Sequence, residues 1–571
     1  MNLLLLLLLL IVVLPLLVAV AFAMRARLRL SRAKHPSLRG HVRMARRIAR
    51  LIPYYEFDAS GFFRSDGAPG EVAERRRANF DWLAGVFDQR NPESTRRLKR
   101  LAPQVSDMQF VGRYRVPFPY SRLVRERLNS SVLVQSSEDV RVHDIEGNDF
   151  IDLTGAYGVN VLGNDFYKRC MTDGLARVAE LGAVLGPYHP VIEDNVARIL
   201  EISGLDEVSF HMSGTEAVMQ AVRLARYHTG RSHVVRFCGA YHGWWDEVQP
   251  GVGNPGRVGQ VYTLREASEA TLKVLESRRN VACVLVNPLQ ALHPNGNAPG
   301  DGALLTSDRT AGFDRDEHTR WLKRLREVCS ARGIVLIFDE VFTGFRVARG
   351  GAQAYFGVQA DMVTYGKTLG GGFPVGVLCG RAQLMKRFRE NRPADVCFAR
   401  GTFNSHPVVL GAMHEFLTWL GTTEADALYA GLDERWDERA ARMNRAFDEA
   451  GVPLQVANLS SIFSVLYTKP SRYNWMLQFH LNAEGLLLPW VGTGRLIFSL
   501  NYSDEQFDEV VSRFVAAAER VQQAGWWWSP PGATNKTLKR QVLRELLTRR
   551  FRHRSSPVLA PPAAAEDTTA G

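Results

Sequence analysis

The stretch TYGKTLGGGFPVG, residues 364–376, sets Lys367 between Gly366 and the run Gly370, Gly371, Gly372. A phosphate-gripping P-loop is one chemistry that places lysine beside glycine. It needs a further glycine five residues before the Gly-Lys-Ser/Thr, so that successive backbone N–H groups wrap a phosphate. That position is Asp361, and a carboxylate there repels phosphate. Two readings remain: a solvated lysine in a Gly-rich turn, or a nucleophile in a cofactor pocket. In a pocket, glycines let a bulky group approach the backbone. Partial desolvation lowers the amine's pKa and makes it a better nucleophile.

The surrounding texture sets the fold class. The segment VRVHDIEGNDFIDLTG reads as a hairpin turning at Gly147-Asn148. Beyond it, helical stretches alternate with short apolar runs: EVSFHM, HVVRFC, VACVLVN, GIVLIFDEV, DMVTYG and GVLCG. Such runs between helices predict an α/β fold around a mainly parallel, buried sheet. A chain that is 46 % hydrophobic and 23 % charged can fill a core of that size. After His406-Pro407 helices dominate until GRLIFSLNYS, which predicts a smaller C-terminal α/β domain.

Three further pieces belong with Lys367. In VSFHMSGTEAVMQAVRLAR, residues 208–226, a strand ends near Met212 and a helix starts after Ser213-Gly214-Thr215. The helix N-terminus offers free N–H groups to an anion, and two hydroxyls stand beside it. An ordinary Ser cap is the alternative. In FCGAYHGWWD, residues 237–246, Tyr241 or Trp244 could stack on a flat ring, or simply pack. In GIVLIFDEVFTGFR, residues 333–346, Asp339 ends a very apolar strand. A carboxylate there is costly unless it meets a positive partner, such as a protonated pyridine, or caps a helix. A phosphate cup, a stacking aromatic, an acid for a ring nitrogen and a lysine together describe a pyridoxal 5'-phosphate site.

The stretches SGTEAVMQAVRLAR, AYHG, LIFDEVFTGFRVARGGAQAYFGV, GKTLGGGFPVG and GTFNSHP resemble the class III aminotransferases, most closely the glutamate-1-semialdehyde 2,1-aminomutase branch. The resemblance spans about residues 130–525. It implies PLP fold type I, with a large mainly parallel seven-stranded domain and a smaller α/β domain formed from both chain ends. It implies Lys367 as the Schiff-base lysine and proton shuttle, with Asp339 paired to the pyridine N–H. Val341 would pack behind the ring and Tyr241 in front, with His242 beside them. Ser213, Gly214 and Thr215 would bind the phosphate, and Thr402 would complete the site of a neighbouring subunit in a homodimer.

The match departs in three places. Asn287 stands where the family usually carries Glu before Pro. Gly492, Thr493 and Gly494, followed by Arg495, occupy a segment where the aminomutase carries an acid. The usual substrate-carboxylate signature is not recognisable in FVGRYRVPFPYSRLVRE. A less acidic pocket is expected, suited to amino transfer between a small-molecule donor and a carbonyl acceptor, a lipid-like one included. An aminomutase and a non-catalytic PLP-binding membrane scaffold are the alternatives.

The flanks concern surroundings more than substrate. The net charge of +12 is concentrated there, while the middle is nearly balanced. Residues 2–23 are apolar apart from Asn2, long enough to span a bilayer, and followed at once by Arg25, Arg27, Arg29, Arg32 and Lys34. Those cations resist export, so an uncleaved anchor with a cytoplasmic catalytic part is expected in place of a signal peptide ending at Ala21-Phe22-Ala23. The expected order is an anchor at 1–23, a basic juxtamembrane arm at 24–127 and the PLP-binding domain at 128–407. The small domain at 408–525, a Trp/basic membrane-surface segment at 526–554 and a disordered tail at 555–571 follow. In the 526–554 segment, Trp526–Trp528 would sit among headgroups with Leu538, Val542 and Leu546 facing lipid, or the Trp cluster would pack on the small domain and the basic helix would be solvated. The six cysteines lack metal-ligand spacing, so no metal site is expected, and no nucleic-acid partner either.

Overall fold

The computed structural model describes residues 9–35, 41–114, 116–249, 252–254, 256, 259–288, 314–489 and 494–552. The anchor's residues 2–8, Gly492, Thr493 and the tail at 555–571 lie outside them. At the centre stands a seven-stranded sheet. Its strands, numbered along the chain, are β1 (Glu207–His211), β2 (His233–Phe237), β3 (Val261–Leu264), β4 (Val281–Val286), β5 (Val335–Asp339), β6 (Met362–Gly366) and β7 (Gly376–Gly380). Their spatial order is β1-β7-β6-β5-β4-β2-β3. Only β7 runs antiparallel to its neighbours. Every residue of β4, β5, β6 and β7 is buried, as helices on both faces require. This explains why those strands read as unbroken apolar runs, whereas the four-residue edge strand β3 escaped the sequence pattern.

The hairpin is present, with Arg141–Asp144 antiparallel to Asp149–Asp152. Leu486–Leu487 adds to it in parallel, so both ends of the chain meet in one sheet. The region after Pro407 is less helical than expected. Leu454–Leu459 and Ile462–Tyr467 form a hairpin, and Arg495–Ile497 joins it. Its two-residue connection, Ser460-Ser461, has Ser460 at φ 46°, the left-handed geometry of a tight hairpin turn.

Within the arm a long helix runs Gly70–Arg90. It buries Phe80, Leu83 and Phe87, and its Arg76 donates to Gly525 O at 2.9 Å. The arm is therefore packed on the C-terminal part of the chain. Its partner there corrects one expectation. Trp526 and Trp527 are buried, not laid among headgroups. In the helix Asn535–Arg552, Leu538 is buried, and Val542 and Leu546 pack on the same core. The face assigned to lipid is thus covered by protein, and Leu543 and Leu547 are exposed instead. Arg472 fixes that helix through Glu545 at 2.7 Å. An apolar stripe records that something covers it, but not what.

Near the N-terminus, Ile11–Ala33 is long and apolar enough to cross a membrane by length and composition, with mean hydropathy 2.1 over an 18-residue window. Its basic end docks on the large domain. Ala33 O accepts from Arg265 N at 2.8 Å, and Ala26 O accepts from Arg278 Nη2 at 3.2 Å.

Candidate active site

The carboxyl-terminal edge of the parallel strands collects the site, as open α/β sheets do. Strand β5 ends in Asp339, which is buried. Parallel pairing puts Asp339 opposite Thr364 of β6, three residues before Lys367. The carboxylate accepts from His242 Nδ1 at 2.7 Å, Thr364 Oγ1 at 3.2 Å and Val341 N at 3.2 Å. A carboxylate oxygen can only accept, so His242 carries its hydrogen on Nδ1. Burial lowers the His242 pKa, opposed by Asp339, and a neutral ring results at physiological pH. Among the described residues, no lysine or arginine forms an ion pair with Asp339.

Lys367 follows β6 directly and adopts φ 50°, unusual for a residue with a Cβ. Such strain persists only where the surroundings over-determine it. Its Nζ lies 4.2 Å from the centroid of the Phe342 ring. Burial lowers its pKa to about 7; Asp339 opposes the shift, and Arg346 and Arg495 reinforce it. A partly buried amine set against the Phe342 ring speaks against the solvated-turn reading. The amine is neutral in a large fraction of molecules near pH 7, which a nucleophile requires.

The helix Gly214–Thr229 begins beside these groups. Ser213 is its N-cap, and Ser213 Oγ accepts from Glu216 N at 3.3 Å. The capping alternative is thus realised, and the hydroxyl hydrogen remains available to a ligand. The amides of Gly214 and Thr215 precede the helical ladder, as in any first turn. Gly214 permits close approach: a Cβ there would stand 2.7 Å from Val341 Cγ1. Gly243, at φ 91°, brings the Tyr241-His242 loop against Thr215, and a Cβ there would stand 2.5 Å from Thr215 Oγ1.

The remaining expected residues divide. Tyr241 sits near Asp339, whose charge adds to burial in raising the tyrosine's pKa, and half its surface is open. Asn287 reaches Tyr241 O with its amide at 3.5 Å. Thr402 is exposed, and no contact within this chain brings it to the site among the described residues. Sequence reasoning missed Phe342, Thr364 and Arg346. Phe342 and Arg346 lie inside the quoted DEVFTGFR stretch, but nothing local distinguished them. Thr364 depends on strand register.

These residues fit pyridoxal phosphate. A buried carboxylate is held by neutral donors only among the described residues, a helix N-terminus and a glycine cradle adjoin it, and an amine with a lowered pKa stands nearby. The class-III aminotransferase family model matches residues 124–248 and 309–518. A glutamate-1-semialdehyde 2,1-aminomutase of Geotalea daltonii is 32% identical over 416 residues, 68% of this chain and 91% of that protein. A solved transaminase with PLP bound superposes with TM-score 0.58 at 28% identity, covering 69% of this chain and 92% of its own. A glutamate-1-semialdehyde aminomutase from Pseudomonas aeruginosa PAO1 gives TM-score 0.63 at 20% identity, over 78% of this chain and 99% of its own, and so bears on the fold alone.

Proposed function

The chain belongs to the class-III aminotransferases, PLP-dependent transaminases or aminomutases, and on that premise we propose an aminotransferase that moves an amino group from a small-molecule donor to a carbonyl acceptor. One observation carries the reading: Lys367 and Asp339 lie on neighbouring strand ends, an amine whose pKa burial lowers to about 7 and a carboxylate that, among the described residues, has no lysine or arginine partner.

Bound there, PLP supplies an aldehyde for covalent capture of an amine and a protonated ring that accepts electron density when a substrate proton leaves. Asp339 would hold the ring N–H, and His242 keeps Asp339 oriented through its Nδ1–H. Val341 would back the ring and Tyr241 face it. Ser213 and the amides of Gly214 and Thr215 would take the phosphate. Lys367 Nζ would hold the cofactor covalently and, once released, carry the proton. Peptide mapping after borohydride reduction tests the assignment. The label is expected on Lys367 and absent from Lys367→Ala, and a label on another lysine refutes it.

Amino transfer is favoured over isomerisation by Asn287 and by Arg495, a cation whose field reaches Lys367. The aminomutase reading is supported by the names of curated relatives. Product analysis separates them: a transaminase releases a carbonyl product for each amino group accepted, whereas an aminomutase returns an isomer. Thr402, with exposed Phe398 and Phe403 nearby in sequence, would complete a partner's phosphate site in a homodimer. The apolar helix would anchor the protein with its catalytic part in the cytoplasm, next to the cationic run from Arg25.

A further inference from the structure

Arg346 is fully buried. Its Nη1 donates to Ser461 Oγ at 2.9 Å and to Phe498 O at 2.6 Å, and its Nη2 donates to Asn160 O at 2.8 Å. All three acceptors are uncharged. Among the described residues it forms no ion pair, and its Nε has no acceptor. Burial lowers its pKa to about 10, so it stays charged at neutral pH. A buried, unpaired guanidinium is expensive unless its charge is used.

The charge lies close to the reactive lysine. The Arg346 guanidinium is 5.7 Å from the Phe342 ring centroid, and Lys367 Nζ is 4.2 Å from the same centroid. The two cations are therefore no more than about 10 Å apart. Among the described residues, the groups that could cancel this field do not. Tyr167 is pushed up to about 12 by burial, and burial raises Tyr429 too, so both phenols are neutral. Among the described residues, Asp339 is the one anion acting on Lys367, and Arg495 acts with Arg346. The hydrogen bonds also tie residues 160, 346, 461 and 498 together, joining the segment after β5 to the C-terminal sheet.

We propose that Arg346 is a positioning residue whose uncompensated charge biases Lys367 toward its neutral amine, while its hydrogen bonds hold the turn after β5 against the C-terminal sheet. The inference rests on Lys367 being the reactive amine. At an effective dielectric of about 20, unit charges about 10 Å apart shift a titration by about one pH unit.

The experiment follows acetylation of Lys367 by acetic anhydride against pH in the cofactor-free full chain, read by peptide mass spectrometry. The wild-type midpoint is expected near 7 and the Arg346→Gln midpoint about one unit higher. Arg346→Lys should melt earlier than wild type, since an ammonium cannot reproduce the planar fork. A wild-type midpoint near the ordinary lysine value of about 10 overturns the proposal. So does an unchanged midpoint in Arg346→Gln. Should that variant not fold, Arg346→Met takes its place, and an unchanged midpoint there overturns the proposal. Borohydride labelling at another lysine counts against the functional assignment but leaves this midpoint comparison intact.

Discussion

Replacing Trp526 with alanine tests whether the C-terminal tail is a structural element or a membrane contact. Trp526 is fully buried. Its ring lies 5.2 Å from Tyr473 and 6.2 Å from Phe63, centroid to centroid, and its Nε1 donates to Asn79 Oδ1 at 2.7 Å. Truncating a buried tryptophan to alanine costs about 3–5 kcal/mol in lost transfer energy and cavity formation. Asn79 Oδ1 keeps a second donor, His480 Nε2 at 2.8 Å, so little further penalty arises from an orphaned acceptor. Trp526→Phe retains most of the packing and loses one hydrogen bond, about 1 kcal/mol. The assay is urea unfolding of the full chain in detergent, followed by near-UV circular dichroism. The alanine variant should show the larger drop in midpoint, and phenylalanine a small one. If both match wild type while binding to anionic vesicles falls, the packing argument is refuted and the headgroup reading returns.

Two further tests address the strand end. Asp339→Asn should retain the fold but lower activity by about 10²–10⁴-fold, the range associated with losing a positioned proton-handling group. A stopped-flow rate near wild type would reduce Asp339 to a structural residue. Glu340 is buried and accepts from Ala352 N at 2.5 Å and Gln353 N at 2.9 Å, and burial raises its pKa from 4.5 to about 7. The folded state then holds the proton more tightly than the unfolded chain. Its contribution is fully present below pH about 4.5 and is lost as pH rises through about 7, by about 3 kcal/mol. Glu340→Gln should flatten that part of the stability–pH curve, and an unaltered curve between pH 4.5 and 8 counts against it.

The candidate site was legible because its parts are local. A strand end, a glycine turn and a helix start are each written in a few consecutive residues. Lys367, Asp339 and the Ser213-Gly214-Thr215 cap could therefore be named from spacing and residue type. The buried strands of the central sheet were legible for the same reason, since burial on both faces demands continuous apolar runs. Edge strand β3 was not, because a four-residue segment carries too little pattern.

The residues' amino-acid order alone determined that an amine and a carboxylate stand at the sheet's edge. Only the tertiary structure decided what surrounds them. Strand register put Thr364 beside Asp339, and folding brought Asn160, Ser461 and Phe498 to Arg346. Folding also turned Trp526 and Leu538 inward, Trp526 against Asn79 and Phe63, hundreds of residues away. A hydrophobic or charged side chain specifies that it needs a partner. Its own neighbours in sequence do not say which distant segment supplies one.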